Sequence, residues 1–263
     1  IMKRGLQAIF SFFFFLRLIG FAYADGGYLE LGNFSKTSNV ITVSQVGTEV
    51  ENGEALKEAL ASIDDSSETN PYLVKIEPGI YDIGISAILM KSYVHIEGSG
   101  KDLTTIQGNS RTNIYAYGLM HGATFSELRS VTLINDFDGD TTTSNIAIYN
   151  SMSSFSVRDA KIIVRDGDDN YGVFNDGLSA PKLTNVEIVA SGANNWSYGV
   201  YNQSWAFPIL KNVEITSTGG SKSYGIFSDD NCSVTAIDGE IKSNNISRGK
   251  QRRPVEMRCA VTS

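Results

Sequence analysis

One phrase returns down the second half of the chain. It joins an apolar or aromatic residue, a small residue, an aliphatic residue, an aromatic ring and a polar residue. It reads Ile146-Ala147-Ile148-Tyr149-Asn150, Tyr171-Gly172-Val173-Phe174-Asn175, Tyr198-Gly199-Val200-Tyr201-Asn202 and Tyr224-Gly225-Ile226-Phe227-Ser228. The steps between the aromatic positions are 25, 27 and 26 residues. A second phrase keeps phase with it: Leu128 to Leu133, Val157 to Ile162, Leu183 to Ile188, Leu210 to Ile215 and Ala236 to Ile241. Units of this length with alternating strand patterns cannot bury an apolar face alone. They must stack, and stacked units form a solenoid. Each unit supplies two clear short strands and a third near a corner. The pattern therefore predicts an all-β fold, a parallel β-helix whose equivalent side chains form ladders along the axis. Asp159, Asn185, Asn212 and Asp238 make one such column, and Asn150, Asn175, Asn202 and Ser228 another. Both are read as structural, because amide ladders satisfy turn and sheet backbone.

The flanking segments divide the chain. Residues 1–24 have Lys3 and Arg4 ahead of an apolar run and Ala22-Tyr23-Ala24 before Asp25, which predicts a cleaved export signal. Residues 25–39 read as a flexible leader, and 40–243 as the β-helix domain. A short helix capped by Asn52, with Leu56, Ala59, Leu60 and Ile63 on one face, is placed to close the N-terminal end of the stack. Residues 244–263 form an irregular basic tail with no amphipathic cap. Either it is a disordered arm, or the chain is a truncated or frame-shifted version of a longer protein.

Charge narrows the partners. The chain carries net −7, and residues 25–247 carry −14. Such a body avoids nucleic acid and repels polyanions unless a cation bridges them. Cys232 and Cys259 give no disulfide framework. His95 and His121 are too few for a metal cluster or a triad, and are read as structural.

Two features can carry chemistry. Strand alternation puts Tyr171, Val173 and Asn175 on one face, and Gly172 with Phe174 on the other. With Ile148, Val173, Val200 and Ile226 inward, Tyr149, Phe174, Tyr201 and Phe227 form an outward aromatic stripe. Ala147, Gly172, Gly199 and Gly225 then lie beside it as bare backbone. Such a stripe suits the apolar face of a sugar chain. The competing assignment swaps the faces and makes the aromatics core. The second feature is a pair of corresponding acidic loops, Asp136, Asp138 and Asp140, then Asp166, Asp168 and Asp169. Solvated acids are the plain reading. Ca²⁺ bridging these loops to an acidic polysaccharide is the sharper one.

The opening of the domain supplies a resemblance. Ile41 to Ser44, the helix from Ala55 to Ile63, Val74-Lys75-Ile76-Glu77-Pro78-Gly79-Ile80-Tyr81 and Val94 to Gly108 are similar to the start of pectinesterases. More broadly, the chain resembles the pectin-lyase-like right-handed parallel β-helix superfamily. The resemblance implies a right-handed coil and a pectin-like polysaccharide substrate. It also implies a two-carboxylate ester hydrolysis with a Gln-Asp-Thr-Leu phrase, an Asp-Phe-Ile-Phe-Gly phrase and a Gly-Arg-Pro-Trp phrase. Repeat counting places the first two over Tyr171 to Phe174 and Gly199 to Tyr201, where no carboxylate stands. No catalytic residue carries over. The leading expectation is an exported, non-catalytic β-helix protein at the cell surface, in the periplasm or secreted, binding carbohydrate on its coils. The alternatives are a pectin-active esterase, a calcium-dependent lyase with Arg129 or Arg158 as base, and a structural or adhesin-like module.

Overall fold

A computed structural model describes residues 28–31, 34–37, 39–45, 47–110, 118–136, 143–229, 231–243 and 257–262. The expected export signal, residues 1–24, lies outside them. Tyr28–Leu31 (β1), Phe34–Thr37 (β2) and Val40–Val43 (β3) pair antiparallel in succession. The segment read as a flexible leader thus holds two strands. From β3 onward every strand pairing is parallel, as a stack of coils wound in one sense requires. The fold is a right-handed parallel β-helix and, among the described residues, one α-helix stands at its N-terminal end.

That helix, Glu49–Ala61 (α1), starts one turn before the expected Asn52 cap. Thr48 and Glu51 form a reciprocal capping box that satisfies two orphan N–H groups. The Asn52 amide is buried instead and donates to Ile80 O at 3.1 Å. Ala55, Leu56 and Ala59 cover the end of the core. Gly53 lets the helix touch the first coil, because a Cβ there would stand 1.8 Å from Asp82 O. Lys91 ties down the other end of α1, donating to Leu60 O at 2.9 Å and to Ile63 O.

The coils have three faces. The first holds Tyr72–Ile76 (β4), and the second holds Gly79–Asp82 (β5). The third begins with Ile88–Leu89 (β6). The next coil repeats the order with Val94–Glu97 (β7), Thr104–Gly108 (β8) and Met120–His121 (β9). Glu127–Arg129 (β10), Thr132–Asp136 (β11) and Asn145–Ser151 (β12) follow. Beyond them the first two faces merge into one long strand per coil: Ser156–Arg165 (β13), Lys182–Ala193 (β15), Ile209–Gly219 (β17) and Thr235–Ser243 (β19). Between these run Asp169–Asp176 (β14), Trp196–Asn202 (β16) and Lys222–Ser228 (β18) on the third face. Met257–Thr262 (β20), in the expected irregular tail, pairs in parallel with β19.

The corner between faces one and two explains the Asp/Asn column. Asp159, Asn185, Asn212 and Asp238 all adopt left-handed backbone, φ 52°, 55°, 52° and 49°. Short polar side chains tolerate that region best. Their amides bond rung to rung, Asn185 Nδ2 to Asp159 Oδ1 at 2.8 Å and Asn212 Nδ2 to Asn185 Oδ1 at 3.0 Å. The interior files are the expected ones. Ile148, Val173, Val200 and Ile226 are in register and buried in the main core. Leu133, Ile162, Ile188, Ile215 and Ile241 face them.

Candidate functional site

The aromatic column lies apart from the main core in a cluster of its own, and the glycines do not share its face. Tyr149, Phe174, Tyr201 and Phe227 form a second apolar cluster with Tyr171, Tyr198 and Tyr224. Gly172, Gly199 and Gly225 face inward. A Cβ at Gly199 would stand 2.2 Å from Ile215 Cγ2 and 2.6 Å from Gly225 O, so the chain turns both Gly199 and Val200 into the core. Strict alternation fails at that bend, and Tyr171 joins Phe174 outside. The expected flat stripe beside bare backbone is therefore a double aromatic layer. Tyr171 stacks on Tyr198 at 5.0 Å, Tyr198 on Tyr224 at 5.5 Å and Tyr201 on Phe227 at 5.2 Å. Phe174 is fully buried, and Tyr149 is 7% exposed. These rings spend their faces on each other. Below them the Asn150, Asn175, Asn202 and Ser228 ladder runs through the interior, with links of 2.8, 2.8 and 3.0 Å.

Four of the six loop acids, Asp136, Asp166, Asp168 and Asp169, are among the described residues. Asp138 and Asp140 lie outside the described residues. Asp136 ends β11 and pairs with Arg165, its register partner one coil on, at 2.5 Å. Asp166 is exposed, and its field helps hold the Arg165 guanidinium above its ordinary pKa, after the Asp136 hydrogen bond that is the main cause. Asp169 turns away into the third face. It accepts from Trp196 N–H at 3.1 Å and from the Tyr171 hydroxyl at 3.3 Å. Burial pushes its pKa up, and Asp168 adds to the rise. Among the described residues, no three His, Cys, Asp or Glu side chains are placed to hold a metal ion.

A concave surface lies beside Asp136 and Asp166. A groove of about 560 Å³ runs across the outer side of face two at its loop end. Asp82, Gln107, Asn109, Ile134, Asp136, Arg165 and Asp166 supply its chemistry. Register builds it: Asp82 pairs with Gln107, Gln107 with Ile134, and Asp136 with Arg165. Strand spacing then sets these groups about 4.8 Å apart from coil to coil. Buried amides fix the frame behind. Asn135 Nδ2 donates to Ser110 O and Ile146 O, and Asn145 Nδ2 donates to Asn135 O and Arg165 O. Gln107 Nε2 donates to Glu49 Oε2 at 3.2 Å, so α1 also braces the groove.

Four of these residues, Asp82, Gln107, Asn109 and Arg165, do not stand out from the repeat phrases. The available signal was their position at the ends of aligned strands. Arg129 and Arg158, weighed as bases, sit on face one in ion pairs. Arg129 reaches Glu127 at 2.6 Å and Glu97 at 3.1 Å, and Arg158 reaches Glu127 at 3.2 Å and Asp159 at 2.9 Å. Burial alone would lower the Arg129 pKa, but these carboxylates hold it above its usual value. A guanidinium so held is a poor proton acceptor.

No family pattern matches the chain, and no curated protein matches it. Solved structures are similar to it. Pectin methylesterase PemA from Erwinia chrysanthemi is 15% identical, with 78% of this chain and 81% of that one covered and a TM-score of 0.42. Pectin methylesterase from carrot is 11% identical over 78% and 83%, TM-score 0.44. The mannuronan C-5 epimerase AlgE4 A-module from Azotobacter vinelandii is 14% identical over 74% and 75%, TM-score 0.33. The fold assignment rests on the strand registers above.

Proposed function

We propose that the protein is an exported β-helix that binds an extended saccharide chain in the face-two groove, without turning it over. The groove itself supports this reading. It crosses four coils and lines them with planar polar side chains, with Ile134 and the 73% exposed Ile85 as apolar contacts. Planar amides, carboxylates and guanidinium groups suit paired sugar hydroxyls, and small apolar patches suit ring C–H faces. The Asp136 carboxylate in the groove is held in an ion pair by Arg165, which suits a positioned binding group.

The test is a glycan array with the mature chain, followed by product analysis on each bound glycan. Ile85→Glu and Ile134→Glu should each weaken binding at least tenfold while leaving the melting transition in place. Methanol release or new unsaturated chain ends would move the protein into the enzyme class. No retained glycan would favour the structural module.

A further inference from the structure

We infer that the protein pairs with a second copy of itself along an apolar ridge at the turn from face three to face one. Five successive coils each place one bulky apolar residue there: Tyr93, Phe125, Met152, Leu178 and Trp205. None of them lines the groove. All five adopt left-handed backbone, with φ of 63°, 60°, 49°, 63° and 69°. Gly, Asn and Asp suit that conformation, and bulky side chains do not. The corner between faces one and two follows the rule with its Asp/Asn column. The ridge breaks it and gains no core packing in return, because its side chains stand in solvent. Phe125 is 62% exposed, Met152 77%, Leu178 66% and Trp205 48%.

Backbone bonds hold the ridge in place. Tyr93 N–H donates to Phe125 O and Met152 N–H to Asp176 O, both at 3.2 Å, and Leu178 N–H donates to Ser204 O at 3.0 Å. The Tyr93 and Phe125 rings stack at 5.1 Å. A surface fixed in this way loses little entropy on docking. Size and charge name the occupant. At roughly 150–250 Å² for a large side chain, the four exposed residues offer on the order of 500 Å² of apolar surface per copy. Two copies together bring on the order of 1,000 Å², the size at which a specific interface begins. Turn residues 90–93, 122–126, 152–155, 177–181 and 203–208 hold one charge, Lys91, and it is committed to carbonyls of Leu60 and Ile63. Two copies can therefore meet here without opposing like charges, although residues 25–247 carry −14. The same negative body is repelled by an anionic lipid surface. A two-fold axis brings a ridge onto its own copy. Antiparallel alignment centres on Met152, which then faces Met152 of the second copy, while Phe125 faces Leu178 and Tyr93 faces Trp205 across the interface.

Sedimentation velocity of the mature chain over a concentration series tests this, with vesicle flotation as a second arm. A reversible monomer–dimer equilibrium is expected. Met152→Asn combined with Leu178→Asn should weaken it at least tenfold. Asn tolerates left-handed backbone, so the double variant should unfold no earlier than the parent measured as monomer. Met152→Cys, in a chain carrying Cys259→Ser, should form a disulfide-linked dimer on oxidation, and Ser221→Cys at another corner should not. A single-chain mass at every concentration, or a dimer that the two Asn substitutions leave intact, overturns the pairing. Flotation of a monomeric parent on phosphatidylcholine vesicles, abolished by the same substitutions, gives the ridge to lipid and overturns it as well.

Discussion

The coils before β12 and those from β12 onward share one core but are held together differently. From β12 the third-face strands are 7, 8, 7 and 7 residues long, and internal ladders repeat from coil to coil. Before it, the third-face strands β6 and β9 have 2 residues each. There the contacts are single events: the capping box of α1, Lys91 on the helix end, and Gln107 on Glu49. Repetition yields stability from copies of one interaction. Irregularity yields a surface on which different side chains meet. The groove lies almost wholly on the irregular coils, reaching the regular ones only through Arg165 and Asp166.

The sharpest way to break this contrast is the buried amide ladder. Asn175→Leu removes the acceptor for Asn150 Nδ2 and the donor to Asn202 Oδ1, both inside the core. Two orphaned buried groups should cost about 2–6 kcal/mol in all. Urea unfolding would read this as a lower midpoint with unchanged slope. A loss under about 1 kcal/mol would mean that the ladder is ornament and packing alone holds the regular coils. Gly199→Ala comes next. Its methyl meets Gly225 O and Ile215 Cγ2, and backbone cannot yield as a side-chain tip can. Overpacking of this kind costs about 1–3 kcal/mol, again measured by denaturation.

The irregular coils should be sensitive at single points instead. Lys91→Met removes the ammonium that closes the C-terminal end of α1 on Leu60 O and Ile63 O. The expected loss is about 1–2 kcal/mol, from a charge-assisted bond at the negative end of a helix. Hydrogen exchange should show that loss in α1 and β3 to β5, with the protection of β14 to β18 unchanged. Equal loosening throughout would show one cooperative unit and no division of labour.

The two regions were also unequally legible. From Leu128 onward the repeat phrases carry the coil length, the interior files and both Asn columns, because each residue is seen several times in the same role. The inward turn at Gly172, Gly199 and Gly225 was hidden. Alternation assigns faces by counting, and two successive residues facing one way break the count. The Thr48 cap was missed for a local reason: Asn52 looks like a cap, but its amide is used in a tertiary bond to Ile80 O. The groove was least legible. The coil register does continue through Asp82, Gln107 and Ile134. The residue types do not repeat there, so nothing in the sequence marks them as neighbours. The acidic spacing marks Asp136 and Asp166, but nothing in the sequence marks Arg165, which neutralises Asp136 only through coil register.

The smallest expected effect is a pH response of opposite sign in the two regions. Both histidines of the chain are in the irregular coils, His95 on β7 and His121 on β9. Burial lowers both pKa values, with Arg129 adding to the effect at His95 and Glu127 opposing it. A buried His95 Nδ1 without a partner is the physical sign of that environment. The folded state then binds fewer protons than the unfolded chain. Stability from these coils is full above the unfolded value of about 6.5 and is lost as pH falls through it. Asp169, in the regular coils, is shifted the other way, since burial raises its pKa. The folded state holds that proton more tightly, so acidification into the carboxylate range relieves a cost there. Hydrogen exchange at about pH 7 and about pH 5.5, bracketing the histidine value, should therefore show β7 and β9 opening more at the lower pH while β14 does not. His95→Gln with His121→Gln should flatten the difference. Loss of protection in β14 together with β7 would place the acid-sensitive group elsewhere and undo the regional assignment.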